Sequence, residues 1–389
     1  MENYNLLNLF RKFQKWNPLL IEKMKNCTHH EGDNINPYHM EGDVWSHTCM
    51  AYNHFLSIVP EKITFKEFCV GIAILCHDIG KVFTREVKEN GHTCFYSHSF
   101  ASVQYAIDFI NHLKREYNIE DRFIYNQMIY YVTTAVSNHI DFFRCTLQNQ
   151  WLYVNCNEEL FYISLMLMFC DFHGRISTYE KFIVNNDEFQ KTYYNHLLDV
   201  YANWPEDNYM EILFLEYNLL QDNKDYVPHI IFLCGLPASG KDYYLKRINK
   251  LEDSVSYDEI RIEVFKSENS VEGLTEKQIY DLAFEYCNEN KVDLNSHVKK
   301  KVDEMVTKGK KVIYINNTNL KRKYRKSIMN LLGKNKYNFS AKFIFRELDD
   351  IRHSNVRRDC KEVPYDVIKR MSHNIQIPTR QEGFDYIIF

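Results

Sequence analysis

The sequence predicts two folds in one chain: an all-helical N-terminal domain and a C-terminal α/β domain with a parallel sheet. Three observations predict this. Between residues 44 and 173 apolar residues recur at helical spacing, with no alternating strand pattern. After Pro228 short apolar runs alternate with helix-like stretches of about ten residues or more, the pattern of a parallel sheet covered on both faces. The charge also changes sign between the two parts. Residues 1–227 hold 18 Lys+Arg against 29 Asp+Glu, a balance of −11, and residues 228–389 hold 30 against 23, a balance of +7. A chain of 389 residues has room for two or three such domains.

The elements follow in order. Helices are expected over 44–59, 65–77, 97–117, 121–139 and 158–173. Residues 174–227 are polar and aromatic and read as further helices leading into a junction. Pro228 ends that stretch, because proline stops a helix just before a new apolar run. The expected domains are therefore 1–176, a helical junction over 177–227, and 228–389. Strands are expected at His229–Cys234, Ser254–Tyr257, Lys311–Asn316, Ala341–Arg346 and Asp385–Phe389. The basic run Lys321–Lys326 reads as a solvated helix face.

Composition narrows the class. With 12 Gly and 8 Pro, the chain is neither collagenous nor low-complexity. No run of about 18 apolar residues suggests a membrane span, and the first residues lack a basic-then-apolar leader pattern. The eleven cysteines include no C-x-x-C and sit singly among apolar residues, as reduced thiols of a cytoplasmic protein do. Twelve of the 16 histidines precede residue 228, which hints at metal in the acidic part and polyanions at the basic part.

The first constellation is His47, then the adjacent pair His77-Asp78 at the end of an apolar helix, then Asp171 after another apolar run. Buried imidazoles and carboxylates need partners. Separate helices can deliver them to one interior point, where imidazole plus carboxylate suits Mn, Ni, Co, Fe or Zn. Taken singly, each histidine is better explained as a satisfied core or surface residue than as a ligand; the pattern H…HD…D carries the signal. Over about residues 40–176 it resembles the HD-domain phosphohydrolases, helical metal-dependent phosphatases and phosphodiesterases. The resemblance implies His47, His77, Asp78 and Asp171 as ligands of a first metal. It implies His98 and His139 as ligands of a second, with Asp78 bridging. Lys81, Arg175 and Thr84 then match positions that contact phosphate. Metals at such a site neutralise phosphate oxygens and acidify bound water.

The second constellation is Gly235-Leu-Pro-Ala-Ser239-Gly240-Lys241-Asp242, directly after a strand and opening a helix. This is the phosphate-cradling loop in its required context: main-chain N–H groups and a helix N-terminus face the anion, and Lys241 adds a charge. ATP or another NTP with Mg²⁺ is the expected ligand. Asp242 stands where a Ser or Thr usually binds the magnesium. Asp258 and Arg261 follow the second strand, where a base and a phosphate contact would serve a kinase; the plain alternative is a helix N-cap and a surface arginine. Over roughly 229–389 this part resembles the 5′-hydroxyl polynucleotide kinases. The carriers are Asp258-x-x-Arg261, Asn316-Asn-Thr-Asn319, and Arg357-Arg358 before Val363-Pro364. The resemblance implies Asp258 as general base, Arg261 as contact to the acceptor phosphate, and Arg358 as the lid arginine on the donor phosphates.

Together the two parts resemble the bifunctional HD/kinase end-healing enzymes. That implies phosphorylation of 5′-OH ends and removal of 2′,3′-cyclic, 2′- or 3′-phosphates from RNA or DNA, with a nucleic-acid ligase acting downstream. The aromatics Tyr243, Tyr244, Tyr324 and Phe343 are candidates for stacking on bases. Two rivals stand beside this reading. One is an HD nucleotide phosphohydrolase fused to a nucleoside kinase; the other is a non-catalytic nucleotide-binding regulator.

Overall fold

The computed structural model of the protein describes residues 4–178 and 227–389, apart from 33, 35, 145, 146, 156 and 359. The chain divides into two compact units, Met1–Tyr209 and Met210–Phe389. Nearly all of the expected helical junction over 177–227 lies outside the described residues.

The first unit is built from α1 (Leu6–Trp16), α2 (Pro18–Asn26), α3 (Val44–Ile58), α4 (Phe65–Cys76) and the short α5 (Lys81–Thr84). A hairpin of β1 (Arg85–Val87) and β2 (Thr93–Phe95) follows, then α6 (His98–Glu116), α7 (Arg122–Arg144), α8 (Leu147–Tyr153) and α9 (Glu158–His173). The centre is α4. Thr64 and Glu67 close a capping box at its start, and every residue from Glu67 to Cys76 is buried. A helix apolar all round is stable only when other helices cover it. Here α3, α6, α7 and α9 do so, and the His-Asp pair that ends α4 is carried into the interior with it.

The expectation of an all-helical unit is corrected by the hairpin, whose register pairs Arg85 with Phe95 and Val87 with Thr93. Gly91, at φ +77°, makes the turn. Strands of three residues hold barely one alternation, too little to stand out in the sequence beside the helices around them.

The second unit contains β3 (His229–Cys234), α10 (Lys241–Arg247), β4 (Ser254–Val255), α11 (Tyr257–Glu268), α12 (Glu276–Glu289) and α13 (Leu294–Thr307). Then come β5 (Val312–Ile315), α14 (Arg322–Leu332), β6 (Asn338–Phe343), α15 (Leu348–Val356), α16 (Tyr365–Ser372) and β7 (Tyr386–Ile388). The sheet order is β4-β5-β3-β6-β7, with all neighbours parallel. Both faces of β3 are buried. Ile231 and Leu233 pack with Leu245, Val312 and Tyr314, while Phe232, on the opposite face, meets Phe384 at 5.6 Å between ring centroids. From β5 beside β3 the chain crosses to β6 on the other side. The crevice at the carboxyl ends of these strands is where open α/β sheets bind ligands.

Three sequence expectations shift. The Ser254–Tyr257 strand ends at Val255, because Ser256 caps α11 with its side chain accepting from Glu259 N. The Ala341–Arg346 strand runs earlier, Asn338–Phe343, where it pairs with all six residues of β3. In the basic run, Arg325 is no solvated residue. It is fully buried, and its Nε and Nη2 donate to Glu382 at 2.8 and 2.6 Å. Removing one partner of such a buried pair costs about 3–5 kcal/mol.

Candidate active sites

In the first unit five helical segments bring six polar side chains to one point: His47 on α3, His77-Asp78 after α4, His98 on α6, His139 on α7 and Asp171 on α9. Asp78, 2% exposed, lies between two groups. Its Oδ2 faces His47 Nε2 at 3.4 Å and His77 Nε2 at 3.3 Å. Its Oδ1 faces His98 Nε2 at 3.2 Å and His139 Nε2 at 4.0 Å. Asp171 Oδ1 stands 2.9 Å from His47 Nε2 and 3.8 Å from His77 Nε2, on the first group's side.

Backbone carbonyls orient the four imidazoles. Nδ1–H donates to Gly174 O (3.0 Å) from His47, to Ile74 O (2.8 Å) from His77, to Phe95 O (2.7 Å) from His98 and to Val136 O (2.8 Å) from His139. A carbonyl only accepts, so Nδ1 carries a proton in each ring, and Nε2 is the nitrogen turned toward the carboxylates Asp78 and Asp171, where a metal would displace any proton it holds. Gly80 permits this approach. A Cβ there would sit 2.0 Å from the His98 carbonyl oxygen, so any side chain would push α6 and His98 away. Ser102 completes the joint, accepting from Gly80 N at 2.8 Å and donating to His77 O at 2.7 Å.

The donor set fits two metal ions. His47, His77 and Asp78 form one cluster within ligand distance, and Asp78, His98 and His139 form another. His77 Nε2 is buried and makes no aligned hydrogen bond, although two carboxylates stand near it. The electrostatics agree. Burial would lower the pKa of His77, but Asp78 and Asp171 push it up to about 10. Burial would raise Asp171, but Arg175 and His47 hold it well below the usual carboxylate range. The carboxylates thus demand positive charge at the point where the Nε2 atoms converge, whether protons or a metal supply it. Burial, with His98 and His77, lowers His139 to about 3, which keeps it a neutral ligand. Lys81 Nζ reaches Asp78 Oδ2 at 2.7 Å and Arg175 Nη2 reaches Asp171 Oδ1 at 3.0 Å. Thr84 turns its hydroxyl to Gly80 O at 3.1 Å.

In the second unit the loop after β3 wraps a cradle at the carboxyl end of the sheet. Gly235 is required by space: a Cβ would lie 2.4 Å from Ile344 O. Gly240 precedes α10 at φ +104°. Lys241 Nζ donates to Gly235 O and Leu236 O at 3.0 and 2.8 Å, and burial pushes its pKa down to about 8. The Ser239 hydroxyl is buried without a partner. Asp242 Oδ1 accepts from Asn316 Nδ2 at 2.7 Å, which ties the start of α10 to the end of β5.

Asp258 is not the N-cap of α11, since Ser256 holds that place. It lies in the first turn, 3.1 Å from Arg261 Nη1, and its charge and that of Arg358 both act on Lys241. Asn317 Oδ1 accepts from Tyr257 N at 2.8 Å. Asn319 Nδ2 donates to Leu233 O and Ile315 O at 2.9 Å each, stitching β3 to β5. Of the aromatics proposed for stacking, Phe343 is buried, Tyr244 packs against the cluster of Ile231, Leu233 and Tyr314, and Tyr243 (71%) and Tyr324 (57%) are exposed.

Sequence reasoning missed Tyr280, which lies near Asp258 and whose pKa burial and that carboxylate push up to about 12. It also missed Phe284, whose ring lies 4.9 Å from the Arg261 guanidinium. Neither belongs to a motif. In the first unit it missed Glu41 and His29, although the dense His/Glu spacing of 29–41 was a usable signal.

Among known families, the model of an AAA domain matches residues 230–378, from β3 to just short of β7. The second unit is a P-loop nucleotide-binding, kinase-like domain, for which nucleotide and Mg²⁺ are the implied ligands. No curated protein matches the chain. Among the described residues no helix is long and apolar enough to cross a membrane.

Proposed function

We propose that the protein is a bifunctional nucleic-acid end-healing enzyme. Its second unit transfers the γ-phosphoryl group of an NTP to a 5′-OH end. Its first unit, an HD-type phosphohydrolase, removes 2′,3′-cyclic, 2′- or 3′-phosphate from the other kind of end. The observation that carries the reading is the pairing of two complete polar centres in one chain. One gathers four imidazole Nε2 atoms around a bridging carboxylate; the other sets Asp258 and Arg261 beside a P-loop. The balance of +7 over 228–389 suits a strand's phosphates.

For the kinase step, Asp258 takes the proton of the attacking hydroxyl and Arg261 holds a phosphate of the acceptor. Lys241 and Arg358 spread positive charge over the donor phosphates as negative charge moves to the leaving oxygen. Tyr280 stands near the Asp258 carboxylate and is placed to donate to it. For the hydrolytic step, a bound transition-metal pair would supply Lewis acidity and an activated water. The chain's own part is to aim His47, His77, His98, His139, Asp78 and Asp171 at that pair. Lys81 and Arg175 balance the two carboxylates and present cations to the phosphoester.

The test is transfer of γ-labelled phosphate from ATP to a 5′-OH oligonucleotide, with a nucleoside in competition, and release of phosphate from a cyclic-phosphate RNA end. Labelling of the nucleoside in preference to the oligonucleotide would replace this reading with the small-molecule kinase. Absence of turnover at both sites would leave the regulator.

A further inference from the structure

A third group of ligand-type side chains lies behind the first centre, on the loop between α2 and α3: His29, His39 and Glu41. Its spacing resembles a metal site, but its proton positions do not. Lys81 Nζ lies 3.5 Å from His29 Nε2. An ammonium only donates, so Nε2 is the acceptor and the single proton of the neutral ring sits on Nδ1, the nitrogen facing Glu41 Oε1 at 4.0 Å. In that protonation state Nδ1 does not ligate, although it makes no aligned hydrogen bond, and a metal there would have to displace its proton.

The same carboxylate is already filled by donors. His39 Nδ1 reaches Oε1 at 2.7 Å, His47 Nδ1 reaches it at 3.0 Å, and Ile176 N donates to Oε2 at 2.9 Å. The Glu41 side chain is 1% exposed, so nothing in solvent competes for it. Met40 N donates to Ile176 O at 2.8 Å, which seats this loop on the segment that follows Asp171.

We propose that Glu41 is a positioning residue for the first centre. Its carboxylate shares the Nδ1–H of His47 with Gly174 O, adds negative charge behind that ring, and clamps the chain after Asp171, so two ligands from distant helices keep one geometry. His29 serves the same layer from the other side by accepting from Lys81, the cation that faces Asp78. Carboxylates behind a ligating imidazole set its tautomer and raise its basicity. The inference rests on the reading of His47 and Asp78 as metal ligands, and the test separates the two.

Metal-free full-length protein is titrated with Mn²⁺ or Zn²⁺ alone by calorimetry, for the wild type and for Glu41→Gln. The expected result is the same stoichiometry with an affinity lowered about 10–100-fold. His29→Phe is expected to keep the affinity and raise KM for the phosphoester. Long-range ¹H–¹⁵N spectra of the zinc-loaded wild type are expected to show His47 as the Nδ1–H tautomer with a protected proton. This measurement stands even where Glu41→Gln fails to fold. Metal bound equally by wild type and Glu41→Gln overturns the positioning role, as does an Nε2–H tautomer of His47. An extra equivalent of metal lost in both His29→Ala and His39→Ala makes the cluster a site of its own and overturns it too. A wild type that takes up neither metal overturns the ligand reading beneath it.

Discussion

In the first unit the polar centre is a meeting of side chains: His47 and Asp171 are 124 residues apart, yet their atoms stand 2.9 Å from each other. In the second unit the cradle is a run of consecutive residues, 235–241, whose main chain does most of the work and whose shape is set by Gly235 and Gly240. The first centre is buried and dense in charge. The second lies at the end of a sheet, and its ionisable members Asp258 and Arg261 are part-exposed at 33% and 18%. Side-chain centres therefore concentrate function in a few irreplaceable atoms. Main-chain cradles spread it over amides that substitution does not remove.

The largest expected effect breaks one side of that contrast. Asp78 touches both halves of the first centre, so Asp78→Asn should reduce phosphoesterase turnover about 10³-fold or more and leave kinase turnover as in the wild type. Parallel assays with both kinds of end check this. Equal loss of both activities would sink the separation of the two centres.

Next comes Asp258→Asn, expected to lower kinase kcat about 10²-fold or more because no base remains beside the acceptor oxygen, with phosphoesterase unchanged. Undiminished labelling of the 5′-OH oligonucleotide would remove Asp258 from the mechanism. Arg261→Lys sharpens the same side. The Arg261 guanidinium lies against the Phe284 ring and reaches Asp258, and an ammonium cannot reproduce that planar fork. KM for the oligonucleotide should rise about tenfold with KM for ATP unmoved; the opposite split would place Arg261 on the donor.

The smallest effect is one of pH. Lys241 is held at about 8 by burial, below the ordinary lysine value of 10.5. In the free protein the penalty for its charge is fully present below pH 8 and is relieved as the ammonium deprotonates between about 8 and 10.5, so this group makes the fold more stable with rising pH. Nucleotide phosphates favour the ammonium. Binding then takes up a proton above pH 8, and ATP affinity should fall by up to about tenfold per pH unit there. Calorimetry in buffers of different ionisation enthalpy measures the proton uptake. An affinity flat from pH 7 to 9.5 would refute the assignment.

Much of both sites was legible because each leaves a local trace. The P-loop is contiguous. The helices that carry His47, His98 and Asp171 show their period, and the observed Val44–Ile58, His98–Glu116 and Glu158–His173 lie within a residue or so of the expected spans. The hairpin at Arg85–Phe95 was hidden because three residues hold barely one alternation. Tyr280 was hidden for another reason: it meets Asp258 from a different helix, and no motif marks it. Glu41 stands only six residues before His47, in a stretch whose His/Glu spacing was a usable signal.

By itself the sequence determined the alternation of helix and strand, the anion cradle, and the candidates for each centre, because periodicity and glycine placement act over a few neighbouring residues. Only the tertiary structure decided that Asp78 lies between two pairs of imidazoles, that every Nδ1 is held by a carbonyl, and that Arg325 is sealed against Glu382. Those outcomes depend on which helices pack together and how closely, a matter of many side chains filling one interior at once.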